Sequence, residues 1–265
     1  MIGLKMAGTH WIPKEIDPFL PIPEEDFPAI TGEWKKVLFT IKGEICSSCS
    51  DCYPPSSLCS KHSLIFEWLV RLGRANIPQR YWDLELEDTL ITDRETLDFV
   101  RDACIKVKEV AERGLGFSLF GARGRGKTTL TIYFLKTALR FGFSGYFSLM
   151  EGLLNTVRES FNEEGNVARL HFQNIKHVKV LVLDDIGREH MTHSGFVVAR
   201  LDELFRWRDS MGYSTLFTSN LNGEEFKTRY GTGIVSLLKN TNKVLVLKGD
   251  ELRPALNEWS KLCPK

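Results

Sequence analysis

A short glycine-rich stretch, GARGRGKT at positions 121–128, matches the spacing G-x-x-x-x-G-K-[ST] at every fixed position. Glycines let such a loop curl so that its backbone N–H groups point at an anion, and a following helix adds its positive N-terminal end. We expect Lys127 to contact the β- and γ-phosphates of a nucleoside triphosphate and the Thr128 hydroxyl to bind Mg²⁺. The predicted nucleotide-binding residues are Gly121, Ala122, Arg123, Gly124, Arg125, Gly126, Lys127, Thr128 and Thr129.

Two carboxylates follow a second apolar run, VKVLVL, at Asp184 and Asp185. A buried strand that ends in acidic residues places them where open α/β sheets bind ligands, beside a phosphate-binding loop. We expect Asp184 to hold Mg²⁺, directly or through water, and Asp185 to orient or deprotonate the attacking water. The alternative is a pair of residues that cap a helix or turn.

A third strand pattern, STLFTSN, ends in polar residues at Asn220. An amide at this position would hold the lytic water or the γ-phosphate and so sense whether the phosphate is present. An ordinary turn after a strand is the alternative. The catalytic residues that we predict are therefore Lys127, Asp185 and Asn220.

Four of the six cysteines lie close together, at Cys46, Cys49, Cys52 and Cys59, with His62 just behind them. Four thiolates satisfy a tetrahedral Zn²⁺, and a small module gains folding free energy from a structural metal. The run C-x₂-C-x₂-C also resembles part of an iron–sulfur pattern. We favour Zn²⁺ over an iron–sulfur cluster and over unliganded thiols.

The elements that must position these residues follow an alternating strand and helix pattern from Ile77 onward. Such alternation predicts an α/β fold with a mostly parallel sheet covered on both faces. Before the first strand, a helix capped by Asp93 and closed by Gly114 is expected over residues 94–113. The five predicted strands lie near residues 116–121, 145–150, 178–184, 214–219 and 243–247.

Residues 1–75 differ in composition from residues 76–265 and are predicted to form a separate module. Five of the ten prolines fall before residue 35, which favours an extended arm leading into the cysteine cluster. The 35 Lys and Arg nearly balance the 34 Asp and Glu, so nucleic-acid binding would need a local basic surface. Without an apolar leader or a long apolar run, we expect a cytoplasmic protein that does not contact a membrane.

Together, the phosphate-binding loop, VLVLDDIG and TSNLNGEEFKTRYG resemble the DnaC/IstB class of AAA+ ATPases, and IPQRYWDLELED resembles the segment beside the family's adenine pocket. This class comprises helicase loaders of bacteria and phages and transposition helper ATPases, and the resemblance spans residues 77–253. It implies ATP and Mg²⁺ as ligands, single-stranded DNA and a replicative helicase as partners, and self-association or mixed assembly on the helicase ring. It also implies Walker A, Walker B and sensor 1 roles for Lys127 and Thr128, for Asp184 and Asp185, and for Asn220, respectively.

The cysteine module argues for a helicase loader, since some loaders of this class carry an N-terminal zinc module that contacts the helicase. The alternatives are an IstB-like transposition helper and a nucleotide-binding scaffold with little hydrolysis. In loaders, the segment that corresponds to the helix at residues 151–164 faces single-stranded DNA. By this resemblance, Arg158 would contact a phosphate and Phe161 would stack on a base. Packed or solvated side chains are the other interpretation of these two residues.

One position departs from the family pattern. AAA+ enzymes complete the site with an arginine from the adjacent subunit, which offsets charge on the transferred phosphoryl group. The segment that carries this arginine in DnaC-like sequences has Leu237 at the expected position here. We therefore expect a slow ATPase when the chain is isolated, with Arg229 as the best substitute.

The cysteine pattern makes a direct prediction about metal content. We expect one metal ion per chain on Cys46, Cys49, Cys52 and Cys59, and removing it should unfold the N-terminal module and leave the ATPase domain folded. Elemental analysis of protein purified without chelators, with a Cys46→Ser and Cys49→Ser variant as control, measures it. Protein that contains neither zinc nor iron would contradict the prediction.

Overall fold

The computed structural model describes residues 60–86, 89–160, 166–189 and 195–252. The chain divides into two units with a boundary between Arg74 and Ala75. Of the first unit, the described part is a single helix, α1 (Ser60–Arg74). The cysteine cluster and the metal site predicted on it lie outside the described residues.

The described part of the second unit contains seven helices and five strands. Its helices are α2 (Arg94–Ile105), α3 (Val107–Glu112), α4 (Lys127–Arg140), α5 (Met150–Glu159), α6 (Asn166–His177), α7 (Phe196–Ser210) and α8 (Gly223–Thr241). Its strands are β1 (Gly116–Phe120), β2 (Gly145–Leu149), β3 (Val180–Ile186), β4 (Ser214–Ser219) and β5 (Asn242–Val246). A 3₁₀ turn at Gln79–Tyr81 precedes them.

The five strands form one sheet in the order β2-β3-β4-β1-β5, and every described pairing is parallel. The predicted α/β class and the five-stranded parallel sheet are thus confirmed, with strand ends within a few residues of those expected. Strands β1 and β4 are buried at every position, as expected when helices cover both faces. The carboxyl ends of β1, β3 and β4 therefore lie side by side at one edge of the sheet.

The helix expected over residues 94–113 is two helices, because the backbone at Lys106 leaves helical geometry with φ −99° and ψ 24°. Asp93 caps the first helix as predicted, and its side chain accepts a hydrogen bond from the Thr96 N–H. The apolar stripe continues across the break, which is why the sequence pattern does not reveal it. Its buried residues are Val100, Cys104, Val107 and Ala111.

Aromatic side chains pack the core on the face of the sheet covered by α7 and α8. Phe217 of β4 stacks on Phe226 with ring centroids 5.5 Å apart and meets Phe120 edge-on at 5.8 Å. These rings lie just below the carboxyl edge of the sheet, so they give the residues at that edge a rigid base. None of the helices in the described ranges has the length and apolar character needed to cross a membrane.

A buried arginine joins the amino ends of β3 and β4. The side chain of Arg208 in α7 is fully buried, with 0% exposure. Its guanidinium donates to the Thr215 hydroxyl at 2.8 Å and to the carbonyls of Lys176 at 2.8 Å, Val178 at 2.9 Å and Ser214 at 2.6 Å. Burial lowers the pKa of Arg208 to about 9. Since the buried guanidinium bonds to carbonyls at the starts of both strands, the arginine holds this end of the sheet together.

Replacing this arginine tests the arrangement. We expect Arg208→Met to lower the free energy of unfolding by about 3 kcal/mol or more, because several buried carbonyls lose their donor. Arg206→Met is the matched control on the same helix, since Arg206 is 58% exposed and paired with Asp202 at the surface. The control should change stability by less than about 1 kcal/mol. Urea unfolding measures both variants, and equal losses would contradict this role of Arg208.

Candidate nucleotide-binding site

The glycine-rich loop at residues 121–128 joins the end of β1 to the start of α4. Its glycines adopt left-handed conformations, with φ of 132° at Gly121, 76° at Gly124 and 93° at Gly126. A Cβ atom at Gly121 would lie 2.6 Å from the carbonyl oxygen of Leu247. The glycines thus allow both the curvature of the loop and its close approach to the neighbouring chain.

Lys127 lies inside the curve of this loop and is only 5% exposed. Its Nζ donates to the carbonyl oxygens of Gly121 at 2.7 Å and Ala122 at 2.8 Å, and to Oδ1 of Asn220 at 2.8 Å. An ammonium group in such a place must keep acceptors around it, because a buried charge without partners is costly. The three acceptors hold the cation where a phosphate group would enter the loop.

Asp184 is the buried carboxylate of the site, with 4% exposure. Its oxygens accept hydrogen bonds from the Thr128 hydroxyl at 2.9 and 3.1 Å and from the Thr218 hydroxyl at 2.6 Å. Burial raises the pKa of Asp184, and the hydrogen bonds from Thr218 and Thr128 oppose that rise. A buried carboxylate next to a hydroxyl oxygen is a hard-oxygen donor set that fits Mg²⁺. Since this set supplies few protein ligands, phosphate oxygens and water would complete the coordination.

The second carboxylate, Asp185, faces a different set of partners. Its Oδ1 accepts from Nδ2 of Asn220 at 2.9 Å, and its Oδ2 accepts from Nη1 of Arg188 at 2.9 Å. The amide of Asn220 therefore links Lys127 to Asp185, with its oxygen toward the cation and its nitrogen toward the carboxylate. A change at the lysine can reach the carboxylate through this one side chain.

The structure thus brings together Lys127, Thr128, Asp184, Asp185 and Asn220, from the ends of β3 and β4 and the start of α4. The other predicted side chains lie at the periphery. Arg123 is exposed, Arg125 donates to the Leu247 carbonyl at 3.3 Å, and Thr129 is half-buried. For the residues of this loop other than Lys127 and Thr128, phosphate contact is expected through the main chain.

The motifs do not predict that the segment after β5 packs against the glycine-rich loop. After β5 the chain crosses the loop, and the N–H of Leu252 donates to the carbonyl of Gly124 at 2.8 Å. The N–H of Lys248 donates to Oδ2 of Asp93 at 2.8 Å, which ties the same segment to the start of α2. These bonds join residues far apart in the chain, and no motif in the segment announces them.

A buried lysine fixes the segment that resembles the region beside an adenine pocket. Lys136 of α4 is 1% exposed, and its Nζ donates to the carbonyls of Trp82 at 2.8 Å and Leu84 at 2.6 Å. Burial lowers the pKa of Lys136 to about 8. The sequence carries a sign that Lys136 is buried, although the motifs do not include it. Lys136 lies one helical turn after the fully buried Ile132, on the apolar face of the helix.

Of the two residues predicted to contact DNA, Arg158 lies within the described part of the chain. Arg158 is exposed near the end of α5 and donates to Oδ1 of Asn155 at 2.9 Å. Phe161 lies outside the described residues. The DNA-binding role of this helix therefore stays a prediction.

Arg229, the expected substitute for the missing arginine, is engaged within its own chain. Its Nε donates to Oε1 of Glu189 at 3.3 Å, and its Nη2 donates to the Glu189 carbonyl. Glu189 is 3% exposed and also accepts from the Gly187 N–H at 2.9 Å and from the hydroxyl of Tyr230. Leu237, at the position where the family pattern has arginine, packs half-buried against the core.

Comparison with known proteins agrees with this geometry. The family model described as IstB-like ATP binding protein matches residues 82–250, which contain the loop, both carboxylates and Asn220. No curated protein sequence gives a significant match.

Solved structures with similar folds include a crystal structure of the DnaC helicase loader, at 24% identity and a TM-score of 0.57 over 64% of this chain and 100% of that one. DnaI is similar at 20% identity and a TM-score of 0.53, over 67% of this chain and 94% of that one. The replication initiator DnaA, bound to AMPPCP and single-stranded DNA, has 16% identity and a TM-score of 0.54 over 66% of this chain and 52% of that one. At these identities the likeness shows a shared fold.

Proposed function

Because the chain belongs to the IstB-like ATP-binding protein family, we propose that it is a slow ATPase that binds single-stranded DNA and delivers a ring-shaped replicative helicase. The observation that carries the ATPase assignment is the contact of Asn220 with both Lys127 and Asp185, beside the Thr128–Asp184 pair. A helicase is proposed as the partner, in preference to a transposase, because the solved structures with a similar fold include a helicase loader.

Lys127, Thr128 and Asp184 would bind the nucleotide and its metal ion, and Asp185 would transfer the proton. In the nucleotide complex, Lys127 donates to negatively charged phosphate oxygens in place of the carbonyls of Gly121 and Ala122 and of Oδ1 of Asn220, because charge-assisted hydrogen bonds are stronger. Mg²⁺ held by Thr128 and Asp184 supplies positive charge that offsets the charge of the phosphates. Asp185 orients a water molecule for attack and accepts its proton.

Asn220 couples these events. Its Oδ1 loses a donor when Lys127 turns to the phosphate, and its Nδ2 remains beside Asp185. The amide then orients the attacking water or the γ-phosphate. ATP acts as a switch as much as a source of energy, because the state of the phosphate changes the contacts of Asn220.

Slow hydrolysis is expected because the arginine that an adjacent subunit would contribute is missing at position 237. Leu237 packs against the core, and Arg229 is bound to Glu189 within the same chain. The chain therefore offers a neighbouring subunit leucine where the family pattern has arginine. Arg229 could reach a neighbouring subunit only if its side chain left Glu189. Absence of such an arginine costs a factor of about 10³ or more in rate.

The roles of the lysine and the second carboxylate are separable by substitution. We expect Lys127→Ala to lower ATP affinity about 100-fold or more, because the phosphate loses a charged hydrogen bond in a buried site. Asp185→Asn should keep ATP affinity and slow hydrolysis at least about 100-fold, because an amide accepts hydrogen bonds but takes no proton. Calorimetry and single-turnover hydrolysis measure the two effects.

The control for both variants is Lys243→Ala, which removes an exposed lysine of β5. It should leave affinity and rate unchanged. Wild-type turnover by Asp185→Asn would show that Asp185 is not the base. A wild-type protein that binds ATP but shows no turnover, with or without single-stranded DNA, would favour the nucleotide-binding scaffold.

Binding of single-stranded DNA is the second testable part of the proposal. We expect salt-sensitive binding that weakens about 10-fold or more in the Arg158→Ala and Phe161→Ala double variant, since a stacked base contributes about 1–3 kcal/mol. ATP affinity should not change. Arg206→Ala, an exposed cation on α7, is the control. Unchanged DNA affinity in the double variant would place the DNA site elsewhere.

Partner choice distinguishes the loader from the IstB-like transposition helper. We expect the full chain to co-purify with the replicative helicase of its own source, and not with a transposase, in the presence of ATP. Lys127→Ala should weaken this association, because the contacts of Asn220 depend on the phosphate. Capture of the transposase alone would favour the transposition helper.

A further inference from the structure

The pairing of β3 with β4 is irregular at the carboxylates. Leu183 pairs with Phe217 and Ile186 with Ser219, so that the two residues between them on β3 face one residue, Thr218, on β4. This two-against-one pairing is a β-bulge, a feature that commonly re-aims side chains beside active sites. Asp185 takes a φ of 58°, a left-handed conformation unusual for a residue other than glycine.

The Thr218 hydroxyl bonds to both residues of the bulge. Its hydroxyl oxygen accepts from the Asp185 N–H at 2.9 Å and its hydroxyl proton goes to Oδ1 of Asp184 at 2.6 Å. Thr218 is fully buried, so water does not replace either bond. One hydroxyl group thus contacts both acidic residues, through the main chain of one and the side chain of the other.

The bulge explains how two adjacent residues serve one site. In a regular strand, neighbouring side chains point to opposite faces of the sheet. Here Asp184 reaches the Thr128 hydroxyl and Asp185 reaches the Asn220 amide, both at the carboxyl edge. The left-handed turn at Asp185 makes this possible, and a turn of this kind persists only where the surroundings hold it.

We propose that Thr218 is a positioning residue for hydrolysis, whose hydroxyl holds the bulge and so sets the orientation of Asp184 and Asp185. The inference rests on the proposed ATPase function. Asp184 would meet Mg²⁺ in a single orientation because Thr218 and Thr128 both donate to it. Asp185 would keep its place beside Asn220 because its N–H is anchored.

The test compares side chains of similar size with and without a hydroxyl. Thr218→Val keeps the branched shape and removes both hydrogen bonds, whereas Thr218→Ser keeps the hydroxyl. Thr215→Val makes the same change on the same strand at the opposite edge of the sheet, where the hydroxyl accepts from Arg208 at 2.8 Å. Thr218→Ala, which adds no volume, replaces Thr218→Val if the latter does not fold by circular dichroism.

The first measurement is the gain in ATP affinity when Mg²⁺ replaces EDTA. We expect Thr218→Val to reduce this gain about 10–100-fold, the usual cost of losing a group that orients a metal ligand. Affinity in EDTA should stay at the wild-type value, since the Thr218 hydroxyl bonds to Asp184 and Asp185. Thr218→Ser should restore most of the gain, and Thr215→Val should leave it unchanged.

The second measurement needs neither metal nor nucleotide. Amide hydrogen exchange at Asp185 should be faster in Thr218→Val than in wild type or Thr218→Ser, because its N–H loses its acceptor. In turnover with Mg²⁺, the KM of Thr218→Val for ATP should rise with the lost affinity, and kcat should fall because Asp185 is no longer held beside Asn220.

A Thr218→Val protein with the wild-type Mg²⁺ gain and the wild-type exchange rate would overturn the proposal. Equal losses of affinity in EDTA and in Mg²⁺ would also overturn it, because they would show a general effect on folding. If the wild-type protein binds ATP without hydrolysing it, the proposed function fails. The Mg²⁺ gain and the exchange rate then still decide the role of Thr218.

Discussion

The site depends on two buried side chains of opposite charge, each of which needs hydrogen-bonding partners. Lys127 and Asp184 are 5% and 4% exposed, and a charge removed from water is tolerated only when hydrogen-bonding partners surround it. The partners come from separate elements: the glycine-rich loop, the start of α4, and the end of β4. Because none of these elements satisfies the charges alone, the parallel sheet must bring the ends of β1, β3 and β4 together. The polar network and the fold therefore depend on each other.

The same solution recurs away from the site. Arg208 fills carbonyls at the amino ends of β3 and β4, and Lys136 fills the carbonyls of Trp82 and Leu84. Both cations are bound mainly to carbonyls, which favours the charged form, while burial opposes it. Buried cations of this kind fix the position of neighbouring segments through directional hydrogen bonds, which apolar packing does not provide. One fastens the far edge of the sheet, and the other fastens the segment beside α4.

The region after β3 joins the site to α8. Glu189 follows the acidic pair closely and receives hydrogen bonds from Arg229 and Tyr230 of α8. Asn220 closes β4 just before the same helix begins. The side chain of Asn220 and the few main-chain residues between Asp185 and Glu189 therefore lie between the loop and α8. Under the proposed function, this connection would let nucleotide state change the surface offered to a partner.

The sequence by itself determined the local features. Glycine spacing and the lysine and threonine at positions 127 and 128 defined the loop, apolar runs located the five strands, and Asp93 marked the start of α2. Each of these signals acts within a few residues, through backbone conformation, capping or burial. Only the tertiary structure decided the pairings. The bulge opposite Thr218, the contact of Asn220 with Lys127, and the bonds of Glu189 to α8 join residues that are distant in the chain. Hydrophobic periodicity specifies which face is buried, but it does not specify register or hydrogen-bond partners, so these contacts could be found only once the strands were in place.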